Sequence, residues 1–173
     1  FAEGYLYQGV IYRLLNEYEK AIDAFSETVS LGSTSASEAV FRRGIVWYYL
    51  GEYQLALKDF DVVGGDPRAQ FWTGVIHLKH EDYTESIDAF TESISLNRRY
   101  LLSYINRGIA YLQVADYKRA LRDFNEVIRR DPRNSKGYHF RGVTYEMTNL
   151  PGKAKESFAH AHKLKNEEEK TGS

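Results

Sequence analysis

Five glycines in this chain are each followed, sixteen residues later, by a phenylalanine, and no other feature limits the possible folds as much. The pairs are Gly9 and Phe25, Gly44 and Phe60, Gly74 and Phe90, Gly108 and Phe124, and Gly142 and Phe158. Successive glycines stand 35, 30, 34 and 34 residues apart. Phenylalanine makes up 9 of 173 residues, so for a chosen set of glycines chance would supply all five on the order of once in a million. Other columns keep the same step. Three residues after each glycine stand Tyr12, Trp47, His77, Tyr111 and Tyr145. Twelve after it come Ala21, Ala56, Ser86, Ala120 and Ala154. Nine after it come Tyr18, Tyr53, Tyr83 and Tyr117, with Pro151 breaking the column.

A fixed period with small residues on two columns and aromatics beside them is the pattern of helix packed on helix. Glycine inside a helix costs roughly 1 kcal/mol relative to alanine, so repeating it five times requires a packing reason. The glycine and the alanine or serine column let two backbones approach, and the aromatics fill the space around the contact. Each unit then consists of a helix A, a tight turn and an antiparallel helix B. The pattern predicts A helices near 3–15, 36–49, 67–80, 101–114 and 135–148. B helices are expected near 17–30, 52–64, 82–96, 116–130 and 152–165. Ser35 with Glu38 reads as a capping box, and Asp66-Pro67 as an N-cap followed by the first helical residue. The second unit is four residues short and ends in Gly64-Gly65, so its B helix should stop early.

Composition narrows the rest. The net charge is −1, from 23 basic and 24 acidic residues, so no general attraction to nucleic acid or to an anionic membrane is expected. No apolar run reaches the ~18 residues of a membrane span, and direct membrane insertion is not expected. Cysteine is absent, which removes disulfides and thiolate metal sites and fits a reducing, cytoplasmic setting.

These columns resemble the tetratricopeptide repeat (TPR) family, whose unit of about 34 residues follows W-x2-L-G-x2-Y…A-x3-F…P. The fourth unit is nearly complete: Tyr104, Gly108, Tyr111, Ala120, Phe124 and Pro132. His77, Ser86 and Pro151 depart from the pattern, and Gln8, Arg43, Thr73, Arg107 and Arg141 replace the leucine before the glycine. The resemblance implies an all-α, right-handed α-solenoid of five TPR-type hairpins. The repeats fall at about 2–35, 37–66, 67–100, 101–134 and 135–166, with a polar tail over 167–173. On the last B helix, Lys155 and His162 stand where earlier units carry apolar residues. A terminal capping repeat has that character, so the array is expected to end at repeat five. Further units before Phe1 remain open.

In this family helix A lines the concave side, and ligands use the positions three before, one after and four after the glycine. Here that stripe holds Leu6, Val10 and Arg13; Phe41, Ile45 and Tyr48; Phe71, Val75 and Leu78; Ile105, Ile109 and Leu112; and His139, Val143 and Glu146, with Tyr49 and Trp72 adjacent. Spacings of four and three keep such residues on one helix face. Three readings follow: packing among neighbouring A helices, a hydrophobic groove for a partner's amphipathic helix or extended apolar peptide, or a groove filled by another part of the protein or by a second copy. Asn106 and Lys136 match two places of the carboxylate clamp of chaperone-binding members, and the other clamp positions, Phe71, Val75 and Phe140, do not. The expected role is an adaptor or scaffold that binds a protein or peptide segment and supports complex assembly; the alternative is a non-catalytic targeting domain of a larger enzyme or co-chaperone. No catalytic, metal or cofactor-binding residues are expected. His77 and His80 have the spacing of a metal pair, but His77 lies in the aromatic packing column. Arg43 with Asp59 and Arg107 with Asp123 share a sixteen-residue spacing, which predicts an ion pair within each of those repeats.

Overall fold

A computed structural model of the chain describes residues 1–171. The described residues are all-α, with ten helices: α1 Ala2–Leu14, α2 Tyr18–Ser30, α3 Ala36–Leu50, α4 Tyr53–Val62, α5 Pro67–Lys79, α6 Tyr83–Leu96, α7 Leu101–Gln113, α8 Tyr117–Arg130, α9 Ser135–Met147 and α10 Pro151–Thr171. They follow one another as five helix–turn–helix segments, in the order and nearly at the boundaries that the columns predict. The chain forms two compact units, one of residues Phe1–Ile76 and one beginning at His77. Within the first, α1 packs on α2, α2 on α3 and α3 on α4; within the second, α6 packs on α7, α7 on α8, α8 on α9 and α9 on α10.

The glycine column works as the sequence implies. A Cβ added to Gly9 would lie 2.5 Å from the Phe25 ring; at Gly44 it would meet Phe60 at 2.6 Å, at Gly108 Phe124 at 2.6 Å, and at Gly142 Phe158 at 2.7 Å. In these four repeats helix A therefore touches the phenylalanine of its own helix B through bare backbone. Phe25, Phe60, Phe90 and Phe124 are completely buried, and burying such a ring contributes roughly 1.5–3 kcal/mol.

The turn between helices A and B repeats as closely. The residue seven after each glycine has a left-handed backbone: Asn16, Gly51, Glu81, Ala115 and Asn149, with φ between 56° and 82°. The next amide donates back to the carbonyl of the aromatic column, as from Glu17 to Tyr12 and from Asp116 to Tyr111, both at 2.8 Å. This satisfies carbonyls that the end of an α-helix leaves unpaired.

The two predicted ion pairs form, and each is part of a larger tie. Arg43 donates from Nε and Nη2 to the two carboxylate oxygens of Asp59 at 2.9 and 2.7 Å, and from Nη1 to Ser26 Oγ at 3.0 Å. Arg107 repeats this with Asp123 at 2.9 and 2.8 Å and with Thr91 Oγ1 at 3.1 Å. One guanidinium thus joins its own helix A, its own helix B and the preceding helix B. In the fifth repeat Arg141 reaches Ser157 Oγ at 3.2 Å and Asn125 Oδ1 at 3.3 Å, both neutral acceptors. Burial pushes the Asp123 carboxyl up, against the downward pull of Arg107. Burial, the largest influence on Arg107, would lower it, and the hydrogen bonds to Asp123 together with the charge attraction of Asp123 and of the Tyr111 and Tyr104 hydroxyls outweigh it.

Three boundary readings need correction or extension. Ser35 makes no side-chain cap for α3; the Glu38 carboxylate that a capping box requires is held by Arg42 and Arg68 instead. Asp66 does cap α5, accepting from the Arg68 amide at 2.8 Å, and Asn134 caps α9, accepting from the Gly137 amide at 3.1 Å. At the other end, α10 continues past the expected residue 165 to Thr171. Its last turns hold Glu, Lys and Asn with no proline or glycine before 172, so nothing in them ends a helix. Residues 172–173 of the expected tail lie outside the described residues. The short helix α4 stops at Val62 as anticipated, and Gln70 closes the following turn by donating to the Gly64 carbonyl at 3.0 Å.

Candidate partner-binding surface

The A-helix stripe divides by depth. Phe41, Ile45, Phe71 and Ile105 are 8%, 9%, 8% and 3% exposed. In the first unit Phe41 and Ile45 pack with Ala56, Phe60, Ala69 and Ile76; in the second, Ile105 packs with Ile94, Tyr104 and Val127. These four are core side chains, each beneath the accessible surface of its own unit. Leu6 and Val10 are half-buried against the cluster of Ala21, Phe25, Ala39 and Val46. Tyr48, Trp72, Val75, Leu78, Ile109, Leu112 and Val143 are half-buried, as are Asn106 and Arg13, while Tyr49, Lys136, His139 and Glu146 are exposed.

In the first unit the accessible part is aromatic. Ring centroids run from Tyr18 to Tyr49 at 6.4 Å, Tyr49 to Tyr48 at 5.7 Å, Tyr48 to Trp72 at 4.8 Å and Trp72 to Phe71 at 5.7 Å. Tyr53 joins at Tyr48, edge-on at 5.7 Å. Tyr18 to Tyr49 is a parallel stack and the others are tilted or edge-on, the arrangements aromatic quadrupoles favour. Tyr49 remains 53% exposed. Sequence reasoning found Tyr48, Tyr49 and Trp72 and missed Tyr18 and Tyr53, which sit in the column nine after the glycine. The signal was present: that column is tyrosine in four of five repeats. Such a surface offers wide, stiff faces with hydroxyls at their edges, suited to apolar, proline or cationic side chains.

In the second unit Ile109, Leu112 and Val143 share the stripe with polar neighbours. The Asn106 amide donates to the Leu102 carbonyl at 2.8 Å, so it is engaged within its own helix. Lys136 and His139 border a cleft of about 590 Å³ beside α10. His139 lies against the rings of Phe140 and Phe158, at 5.2 and 5.6 Å. His77 Nδ1 lies 3.5 Å from Asp82 Oδ2, and His80 is exposed. Among the described residues no three His, Cys, Asp or Glu side chains converge as metal ligands, and no helix is long and apolar enough to cross a membrane.

Three stretches, 3–31, 41–98 and 102–134, match tetratricopeptide repeat profiles, and together they span well over half of the chain. The chain belongs to the tetratricopeptide repeat family. Solved structures agree on the fold. A MamA crystal structure superposes with a TM-score of 0.82 at 21% identity, covering 94% of this chain and 96% of that one. MamA 41-end from Desulfovibrio magneticus RS-1 gives a TM-score of 0.83 at 19% identity, with 96% of each chain covered. YrrB, described as a TPR protein with an unusual peptide-binding site, gives 0.75 at 21% identity, covering 95% of this chain and 86% of that one. No curated protein matches in sequence. This TPR chain is thus of a fold class that serves as protein-interaction scaffolds.

Proposed function

We propose that this TPR protein is a non-catalytic adaptor that holds an apolar segment of a partner protein on the accessible faces of its A helices. In the first unit the contact residues are Tyr48, Tyr49 and Trp72, over a floor of Phe41, Ile45 and Phe71. In the second unit the corresponding surface is Ile109, Leu112 and Val143. The run of aromatic rings that includes half-exposed Tyr49 carries this reading. Tyrosine and tryptophan supply large contact areas at low entropic cost, and YrrB's described peptide site lends it support. The chaperone-tail alternative is less favoured, because the Asn106 amide is occupied by its own helix. A cytoplasmic setting fits the absence of cysteine.

Magnitudes limit the affinity. Three aromatic or aliphatic anchors at ~2 kcal/mol each give ~6 kcal/mol, and ordering a flexible segment removes ~2–5 kcal/mol. A short peptide should therefore bind weakly, with Kd near the millimolar range or above.

The test must avoid the core side chains, since charging Phe41, Phe71 or Ile105 would disrupt the core itself. Trp47→Phe leaves Trp72 as the only indole. Peptides selected from a displayed apolar library should shift Trp72 emission in that background. The pair Tyr48→Ala and Tyr49→Ala should weaken binding at least tenfold with unchanged helical circular dichroism. Undiminished binding by the folded double variant rejects the surface.

A further inference from the structure

Three repeats hold a cation of their own over the ring that stands three after the glycine. Lys20 Nζ lies 5.6 Å from the centre of the Tyr12 ring, the Arg119 guanidinium 4.6 Å from that of Tyr111, and Lys153 Nζ 5.6 Å from that of Tyr145. In all three the cation is the third residue of helix B. In the first and fourth repeats the residue just before helix B adds a carboxylate: Glu17 pairs with Lys20 at 2.6 Å, and Asp116 with Arg119 at 2.5 Å. A ring face and a carboxylate both attract positive charge. Beside the turn of these repeats the chain thus builds a cation site and fills it with its own side chain. In the third repeat the ring is His77, itself 3.5 Å from Asp82.

The second repeat builds the same site and leaves out the cation. Its ring is Trp47, and indole attracts cations more strongly than the other aromatic side chains. Glu52 takes the carboxylate position, held there by its amide, which donates to the Trp47 carbonyl at 2.9 Å. The third residue of the helix is Leu55. Asp116 also caps α8 by accepting from the Arg119 amide, whereas the Glu52 carboxylate makes no cap for α4. Across the gap α2 contributes Glu19 and Asp23. Among the described residues none of these three carboxylates has a cation within salt-bridge distance, and no cation lies over Trp47.

Together these groups line one cleft of about 660 Å³, whose remaining walls are Ile22, Leu50 and Leu55; no lysine or arginine borders it. Leu50 and Leu55 are 37% and 41% exposed. Every lining residue belongs to α2, α3 or the start of α4, within the first unit. The carboxylates do not converge as metal ligands, so the charge they favour is an extended organic one.

We infer that this cleft receives an arginine side chain from a basic, partly apolar segment of a partner protein, with its guanidinium over Trp47 and among Glu19, Asp23 and Glu52. The cationic character follows from charge complementarity and from the sister repeats, where the matching ring carries a lysine or an arginine. Arginine is favoured because Arg119 comes closest to its ring, and a planar guanidinium can stack on an indole while it reaches a carboxylate. The apolar walls call for an apolar residue beside the arginine. No residue of this cleft belongs to the A-helix contact surface proposed above.

The experiment follows the indole N–H resonance of Trp47 in the nitrogen-labelled chain, with Trp72→Phe used to assign it. The probe is a short capped peptide of alternating leucine and arginine, and its twin carries citrulline, which keeps the shape of arginine and loses the charge. The arginine peptide should move the Trp47 signal with at least tenfold tighter binding than its twin, and should weaken as salt rises. Leu55→Arg restores the cation of the other repeats at an exposed position, so it should fold and weaken binding of the arginine peptide at least tenfold. Asp23→Asn with Glu52→Gln, both exposed, should shrink the preference for arginine over citrulline. Tyr49→Ala should leave both unchanged, which separates this cleft from the A-helix surface. Equal shifts by the two peptides, no shift of the Trp47 signal at millimolar peptide, or undiminished binding by a folded Leu55→Arg protein overturns the proposal. Arginine amide that binds as tightly as the peptide also overturns it, by assigning the cleft to a small free cation.

Discussion

Replacing Gly108 by alanine sets two effects of known size against each other. Alanine is the better helix former by ~1 kcal/mol, so propensity alone predicts stabilisation. The new methyl would meet Phe124 at 2.6, 2.7 and 3.2 Å, where carbon atoms prefer about 3.5–4.0 Å. The ring has little room to move: Phe124 is completely buried and stacks on Phe140 at 5.7 Å. Overpacking of this kind costs about 1–3 kcal/mol, and three close contacts with a trapped ring place it at the upper end. The net effect should be a loss of ~2 kcal/mol, or a fall in melting temperature of roughly 4–8 °C for a chain of this size. Gly4, also inside a helix, has nothing within 4 Å of an added Cβ, so Gly4→Ala should instead raise stability by up to ~1 kcal/mol. Urea denaturation followed by circular dichroism measures both. A Phe124→Leu change should cost less in the Gly108→Ala background than alone, because it removes the clash. A Gly108→Ala protein as stable as the parent would refute the close-approach account of the glycine column.

Other consequences can be measured in the same way. Asp123→Ala leaves the largely buried Arg107 without its carboxylate and should cost about 3 kcal/mol, whereas Ser157→Asp should give Arg141 the bidentate partner its counterparts have and gain up to ~1 kcal/mol; thermal melts of both variants check the pair. Ala115 holds a φ of 56°, a conformation that costs a non-glycine residue roughly 1–2 kcal/mol. Against the ~0.5–1 kcal/mol entropic penalty of glycine, Ala115→Gly should still stabilise by ~0.5–1 kcal/mol, seen as a raised denaturation midpoint. Hydrogen bonds from Arg129 and Arg130 pull the Glu126 carboxyl down to about 2 from an ordinary 4.5. A depressed acid contributes stability above its ordinary range and loses it as pH falls toward the folded value. A carbon-detected titration should therefore place the Glu126 midpoint near 2, and Glu126→Gln should flatten the acid limb of stability between pH 4.5 and 2.

The hairpin arrangement was legible because it depends on sizes alone. A glycine opposite a phenylalanine sixteen residues on leaves a mark in one sequence, and so does an arginine at the same distance from an aspartate. The depth of the A-helix stripe left no such mark. Phe41 and Tyr48 share a helix face at the same spacing, yet one is buried and the other half-open, because the neighbouring helices cover one end of that face more than the other. The apparent capping box at Ser35 failed for a related reason: Arg68, thirty residues from Glu38, claims its carboxylate, and a local motif does not register a distant competitor. The left-handed turn position was marked by Asn16, Gly51 and Asn149 and hidden by Glu81 and Ala115.

The forked guanidinium contacts have a geometric consequence. Oily surfaces attract without direction, so hairpins joined by them alone can slide or pivot by small amounts at little cost. A planar fork gripping both oxygens of a carboxylate tolerates far less misalignment. Where Arg43 and Arg107 sit, the angle between helix A and helix B of one hairpin is pinned by the fork, and a single bond to Ser26 or Thr91 ties that hairpin to the preceding one; at Arg141, with neutral Ser157 in place of the carboxylate, the two helices are pinned less stiffly. The placement of ligand-facing side chains on a helix A relative to its own helix B is thus set by residues that never touch the ligand. Affinity should therefore respond to changes at Asp59 or Asp123 even though both are buried away from any bound segment.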